Sequence, residues 1–296
     1  MILIDLNQVM ISNLMAQIGS HKNVEVEENL LRHMVLNALR IYRNKFAQEY
    51  GELVICCDDK DYWRKKQFPY YKAHRKAARD SSDLNWPQIF NCLNNIRDEL
   101  KESFGYRFVK VDHAEADDII GTLCYHFGVE LWPAQDDGRD PFFDKILILS
   151  GDKDFMQLQR FLNVDQYDPV RKRKLRSEEP DKYLQEHILK GDRGDGVPNF
   201  MSPGDVFMAG GRQKPLRSSK LNELLKISFD DVEQSLQGAE KEGWIRNRSL
   251  VDLAFTPDEI RKEVLEQFNN VPQKKSLFNY FVQHKLKNLM EHISEF

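Results

Sequence analysis

Short, unbroken apolar runs alternate with longer amphipathic stretches over the first two-thirds of the chain. Ile2-Leu3-Ile4, Leu53-Val54-Ile55-Cys56-Cys57, Arg107-Phe108-Val109-Lys110-Val111 and Ile146-Leu147-Ile148-Leu149 read as strands. Between the first two, residues 27–50 place Leu30, Leu31, Met34, Val35, Ala38 and Leu39 at helical spacing. Ile89–Phe104 and Glu115–Phe127 read as further helices. Strands with little polar alternation, separated by helices, predict an α/β fold: a mostly parallel central sheet covered by helices on both faces. After Asp168 the texture changes. Arg171-Lys172-Arg173-Lys174 is a basic turn, and most of the chain beyond it reads as helix. Thr256-Pro257-Asp258-Glu259 predicts one helix start, with Thr as N-cap, Pro at the first helical position and Glu closing a capping box. Residues Trp132–Pro141 read as a surface insertion. The expected division is an α/β domain over 1–180 and a helical domain over 181–296.

Acids follow the strands. Asp5 ends the first run, Asp58 and Asp59 follow the second, and Glu115, Asp117 and Asp118 lie just beyond the third. Asp152 and Asp154 follow the fourth, in Ser150-Gly151-Asp152-Lys153-Asp154. One such acid alone is an ordinary turn or cap residue. In an open parallel sheet, however, the carboxyl ends of the strands share one edge, where ligands bind. Clusters after every strand therefore predict convergence. Several carboxylates crowded together cannot all stay ionised without countercharge. Hard oxygen ligands in this number suit magnesium or manganese, and two such ions about 4 Å apart can clamp a phosphodiester and activate water. Asp192 and Asp195 form a further pair in Gly191-Asp192-Arg193-Gly194-Asp195, a weaker signal in a Gly-rich turn.

Composition narrows the classes. With 296 residues, 41% hydrophobic and 30% charged, the chain can build a real core and is neither collagen-like nor disordered. No run approaches the ~20 apolar residues of a membrane span. The start, MILIDL, lacks a basic flank and does not read as a secretory signal. The four cysteines form no C-x-x-C pair, which favours a reducing cytoplasm over a zinc site or a disulfide framework. The formal charge of −4 argues against nucleic acid on totals alone. Setting the metal-facing acids aside leaves a mildly basic remainder, as phosphate binding requires. The basic charge is concentrated in residues 60–79, where Lys60, Arg64, Lys65, Lys66, Lys72, Arg75, Lys76 and Arg79 interleave with Tyr62, Trp63, Phe68, Tyr70 and Tyr71. Cations hold phosphates and aromatic faces stack on unpaired bases. The spacing of Lys72, Arg75, Lys76 and Arg79 predicts one shared helical face.

These motifs resemble the 5′-nuclease family, which includes flap endonucleases, the 5′-nuclease domain of bacterial DNA polymerase I and phage 5′-exonucleases. Phe68-Pro69-Tyr70-Tyr71-Lys72-Ala73-His74-Arg75 fits the family's Pro-x-Tyr-Lys-x-x-Arg. Glu115-Ala116-Asp117-Asp118, Gly151-Asp152-Lys153-Asp154-Phe155-Met156-Gln157-Leu158 and Gly191-Asp192-Arg193-Gly194-Asp195 fit three more of its motifs. Tyr62-Trp63-Arg64 and the tail Tyr280–Phe296 resemble its phage branch in particular. The resemblance implies an arch at about 59–86 over the active site. It implies metal-dependent 5′→3′ hydrolysis of RNA–DNA hybrids, to remove primers, and of DNA duplexes, flaps and forks. Two Mg2+ ions, replaceable by Mn2+, would be held by Asp5, Asp58, Glu115, Asp117, Asp118, Asp152, Asp154, Asp192 and Asp195. Lys72 and Arg75 would act on the scissile phosphate, and Tyr71 would stack on the flipped nucleotide. Arg64, Lys65, Lys76 and Arg79 would join them in holding nucleic acid.

The resemblance further implies a monomer in the cytoplasm of an infected bacterium that meets a single-stranded-DNA-binding protein through its C-terminal part. A replication-clamp contact is expected only weakly, because the chain starts four residues before Asp5. The family's Asn-x-Pro-Gly and Gly-x-Gly hairpin has no counterpart here: Gly196 and Asn199 replace the Asn and the last Gly, so the potassium-assisted duplex grip is not expected. A non-catalytic DNA-junction binder is the rival reading. It would keep the basic segment but has no need for nine clustered acids.

Overall fold

A computed structural model describes residues 1–18, 27–129, 144–270, 272–273 and 276–296. The insertion expected at Trp132–Pro141 lies outside them. Strand β1 (Ile2–Asp5) leads through α1 (Leu6–Ile18) and α2 (Glu28–Tyr50) to β2 (Leu53–Cys56). Helices α3 (Trp63–Gln67), α4 (His74–Asp80) and α5 (Trp86–Ser103) precede β3 (Arg107–Val109). Helix α6 (Ala116–Phe127) is followed by β4 (Ile146–Leu149), a 3-10 turn over Asp154–Arg160, β5 (Val164–Asp168) and β6 (Arg173–Leu175).

The strands form one sheet in the order β3-β2-β1-β4-β5-β6. All pairs are parallel except β5 with β6. The expected α/β class is therefore the observed one, with the basic turn at 171–174 folding into an antiparallel edge hairpin. Chain order reverses between β1 and β4, which opens a crevice at their carboxyl ends.

The period of two along each strand explains the unbroken apolar runs. Ile2, Ile4, Leu53, Ile55, Leu147 and Leu149 face a core shared with α1, α2 and α5. Leu3, Val54, Cys56, Ile146 and Ile148 face the opposite core, shared with α6. Both faces are dry, so neither set is polar.

After β6 the chain builds α7 (Pro180–Lys190), α8 (Ser218–Leu224), α9 (Phe229–Ser235) and α10 (Gly238–Val251). Leu184, Ile188, Leu189, Phe200, Trp244 and Val251 give these helices a core of their own. From Leu253 the chain returns to the sheet. Helix α11 (Asp258–Asn269) sends Ile260, Val264 and Phe268 into the core beside α6. In α12 (Leu277–Gln283) and α13 (Lys287–Met290), Tyr280, Phe281 and Leu289 join the other face, together with Leu286 between them. The cores thus do not divide at residue 180 alone. The α11 start also differs from expectation: the Thr256 hydroxyl donates to Asp118 at 2.9 Å instead of capping the helix. Among the described residues no helix is long and apolar enough to cross a membrane.

Candidate metal centre

The strand ends bring the acids together. Asp5 closes β1, and its Oδ1 accepts the Gln8 backbone N–H at 3.0 Å. Asp58, two residues past β2, accepts the Ala116 backbone N–H and the Asn7 side-chain amide, each at 2.6 Å. It thereby ties the start of α6 to the start of α1. Glu115 is the N-cap of α6 and Asp117 lies in its first turn, where the helix dipole favours negative charge. Asp152 accepts the Asp154 backbone N–H at 3.0 Å, which fixes the turn after β4. Asp192 and Asp195 follow Gly191, which ends α7 at φ +69; a Cβ there would lie 2.4 Å from the Pro198 carbonyl oxygen. Only glycine fits that turn. Gly196 (φ +76) closes the same loop, where a Cβ would stand 3.1 Å from the Tyr70 carbonyl oxygen.

These carboxylates act on one another. Burial, then the charges of Asp58 and Asp152, push the Asp5 carboxyl up to about 7. Burial raises Asp58, and Glu115 adds to it. Asp117 is held well above the usual carboxylate range by burial and by Asp152, Glu115 and Asp5, against the opposing charge of Lys72. Burial pushes Asp154 up to about 8, with Asp152, Asp195 and Asp192 adding to the shift and His187 opposing it. The acids from β1, β2, α6, the turn after β4 and the loop after α7 therefore form one electrostatic group. Among the described residues no donor bonds the Asp117 carboxylate, and only the Asp154 N–H bonds that of Asp152.

Other sites predicted from the sequence are placed differently. Asp118 is fully buried, and its carboxylate accepts from Arg64, Trp63 Nε1, the Glu115 backbone N–H and Thr256. It braces the N-terminus of α6, with both oxygens engaged by these donors. Arg64, expected on nucleic acid, is 2% exposed and pairs with Glu115 and Asp118, each at 2.9 Å. Its Nε donates to the Leu250 carbonyl. Tyr71, expected to stack on a base, is 4% exposed, and its hydroxyl donates toward Glu115 and Asp195 at 3.0 and 2.8 Å. With Phe68, Val197 and Leu250 it anchors the 60–79 segment to the body of the protein.

The expected single basic face is split. Lys72 stands outside α4 in the left-handed region, at φ +56. Its ammonium bridges Glu115 and Asp195, and Arg75 pairs with Asp195. Burial opposes the Lys72 charge, but the Tyr71 oxygen, Glu115, Asp195 and Asp117 hold it well above its ordinary range. Lys76 and Arg79 extend from α4, Arg79 over the exposed Phe90 ring, and Lys65 sits over the Tyr62 ring. The segment expected as an arch is thus two short helices, α3 and α4, rooted beside the acids.

Sequence reading missed His187 and Tyr183, one turn apart on α7. His187 Nδ1 lies 3.3 Å from Asp154 and its Nε2 lies 3.4 Å from Asp192. Despite burial, these carboxylates raise the His187 pKa, and the imidazole holds Asp192 below its usual range. The only sequence signal was a His five positions before Asp192, which reads equally well as a helix-end residue.

The family description "5′-3′ exonuclease, N-terminal resolvase-like domain" matches residues 1–187, and "T4 RNase H, C terminal" matches residues 177–296. The chain belongs to the 5′–3′ exonuclease family. It is 29% identical to the ribonuclease H of Enterobacteria phage T4, over 99% of this chain and 95% of that protein. It is 27% identical to a 5′-3′ exonuclease of Buchnera aphidicola, over 57% of this chain and 56% of that protein. Among solved structures, the T5 5′-exonuclease with bound zinc superposes with a TM-score of 0.64 at 14% identity, covering 92% of this chain and 99% of that one. A bacteriophage T5 flap endonuclease in complex with DNA and metal ions gives a TM-score of 0.58 at 16% identity, over 91% and 99%. The family expected from the four motifs is the one found, and with it the mostly parallel α/β fold.

Proposed function

We propose that this 5′-nuclease hydrolyses phosphodiesters at the 5′ ends of RNA–DNA hybrids, and of DNA duplexes, flaps and forks, with two divalent cations, Mg2+ or Mn2+. The observation that carries this reading is the shared electrostatic group of Asp5, Asp58, Asp117, Asp152 and Asp154. Burial and mutual repulsion raise the pKa of four of these acids in the chain alone, a repulsion that bound cations would relieve. Asp5, Asp58, Glu115, Asp117 and Asp152 would hold one cation, and Asp154, Asp192 and Asp195 the other. When bound, the ions supply Lewis acidity and a water activated at neutral pH. Lys72 and Arg75, already drawn to the rim by Glu115 and Asp195, place positive charge where the phosphate gains negative charge in the transition state. Lys76, Arg79 and Lys65 would hold the strand leading to the site. Contact with a single-stranded-DNA-binding protein falls to the C-terminal part, where Lys285 and Lys287 are exposed beside Val282; Lys274 and Lys275, basic in the same stretch, lie outside the described residues.

A 5′-labelled RNA–DNA hybrid and a DNA flap, each incubated with Mg2+, Mn2+ or excess EDTA, test the proposal. Cleavage from the 5′ end is expected with either metal and none with EDTA. Asp152→Asn should abolish cleavage while duplex binding persists. Full cleavage in EDTA, or near-normal turnover by Asp152→Asn, would overturn it.

A further inference from the structure

We propose that His187 is a nitrogen ligand of the second cation site, and that this site therefore favours manganese over magnesium. The inference rests on the metal-dependent reading above and extends it to a residue that an all-carboxylate site does not include.

Three separate parts of the chain supply the candidate ligands: Asp154 from the turn after β4, His187 from α7, and Asp192 from the loop after α7. One ligand atom from each lies within 4.8 Å of the other two. Neighbouring ligands in an octahedral shell with bonds of about 2.1 Å stand about 3 Å apart, and opposite ones about 4 Å, so the three atoms need only small shifts to share one ion. The imidazole is half-buried, with 14% of its side chain exposed. One turn back on α7, the Tyr183 ring meets it edge-on, with centroids 6.1 Å apart and an interplanar angle of 80°. The ring is thus oriented before any cation arrives.

Its two nitrogens each face a different carboxylate. With one nitrogen on the cation, the other can donate its N–H to the oxygen of its facing carboxylate that does not bind the ion, the kind of hydrogen bond that fixes metal-bound histidines elsewhere. Magnesium prefers an all-oxygen shell, whereas manganese and the later divalent ions accept imidazole readily. The first site, drawn from the ends of β1, β2 and β4 and the start of α6, offers only carboxylates among the described residues and should lack this preference.

Pulsed electron paramagnetic resonance of Mn2+ bound to the full-length protein tests the inference without any turnover. Nitrogen-14 modulation from a directly bound imidazole is expected. Labelling the histidines with nitrogen-15 should replace it with nitrogen-15 coupling, a check that needs no variant. In His187→Gln the modulation should vanish, and the Mn2+-over-Mg2+ affinity ratio, read by calorimetry, should fall about tenfold. If Mn2+ binds the wild-type protein without nitrogen modulation, His187 merely bridges two carboxylates; the inference is overturned while the nuclease reading stands. If the wild-type protein binds no Mn2+ at all, both are overturned.

Discussion

Arg64 and Lys76 carry the same formal charge and lie twelve positions apart, yet they have opposite duties. Arg64 neutralises Glu115 and Asp118 inside the protein, while Lys76 points to solvent. Removing one partner of a buried ionic network strands the others. Arg64→Ala is therefore expected to cost about 3–5 kcal/mol of stability, read as a lower urea midpoint at an unchanged slope. Lys76→Ala should stay within about 0.5 kcal/mol. Equal midpoints for the two variants would show that Arg64 does not hold α6 in place. This contrast marks where the sequence stops being legible. Asp5, Asp58, Asp117, Asp152 and Asp154 could be read because each lies beyond an apolar strand, and parallel topology then forces them to one edge. The positions of Arg64, Tyr71 and Asp118 could not, because burial depends on which loop closes over them. His187 was invisible for the same reason, since its two carboxylate partners come from other elements.

At the scale of elements, the basic segment shows how a pattern can be right in composition and wrong in geometry. Helical spacing placed Lys72, Arg75, Lys76 and Arg79 on one face. The left-handed backbone at Lys72 sets that residue outside α4; Lys72 and Arg75 turn to the acids, while Lys76 and Arg79, on the same helix as Arg75, extend away from them. A residue held in that region persists only where its surroundings fix it, and here the Lys72 backbone N–H donates to the Asp195 carbonyl at 2.7 Å. The two pairs should separate in experiment. Lys76→Ala and Arg79→Ala should weaken binding of single-stranded or flap DNA. Each should lower the slope of log affinity against log salt by about 0.7–1, because each releases about one counterion. Lys72→Ala should instead lower the cleavage rate by about 10²–10³ with a smaller change in binding. If all three variants merely reduce affinity to the same degree, only net charge matters and the split is without consequence. The strands were easier to read than this segment, because a buried strand needs only a local apolar run, whereas α3 and α4 depend on packing against α10 and the 191–198 loop.

For the whole molecule, the converging acids make stability depend jointly on pH and on cations. Asp5 and Asp154 titrate at about 7 and about 8 in the folded chain, against 3.8 as ordinary carboxyls. Between about pH 4 and 8 the folded state thus holds protons that the unfolded state has released, and stability falls as pH rises through that window. His187 adds to the trend: a histidine with a raised pKa stabilises the fold below its ordinary value of 6.5, and that contribution is lost as pH rises through its folded value. Asp59 works the other way, since Lys110 and the His113 N–H lower it to about 2 despite burial, but its contribution fades only in acid below this window. In EDTA, the melting temperature should therefore fall steadily from pH 5 to pH 8. Cations compete with those same protons for the carboxylates, so the rise in melting temperature on adding Mg2+ or Mn2+ should be small at pH 5 and grow toward pH 8. Parallel thermal melts in EDTA and in saturating metal across that range measure both trends. A melting temperature in EDTA that climbs with pH, or a metal-induced rise as large at pH 5 as at pH 8, would show that these acids do not share one uncompensated site.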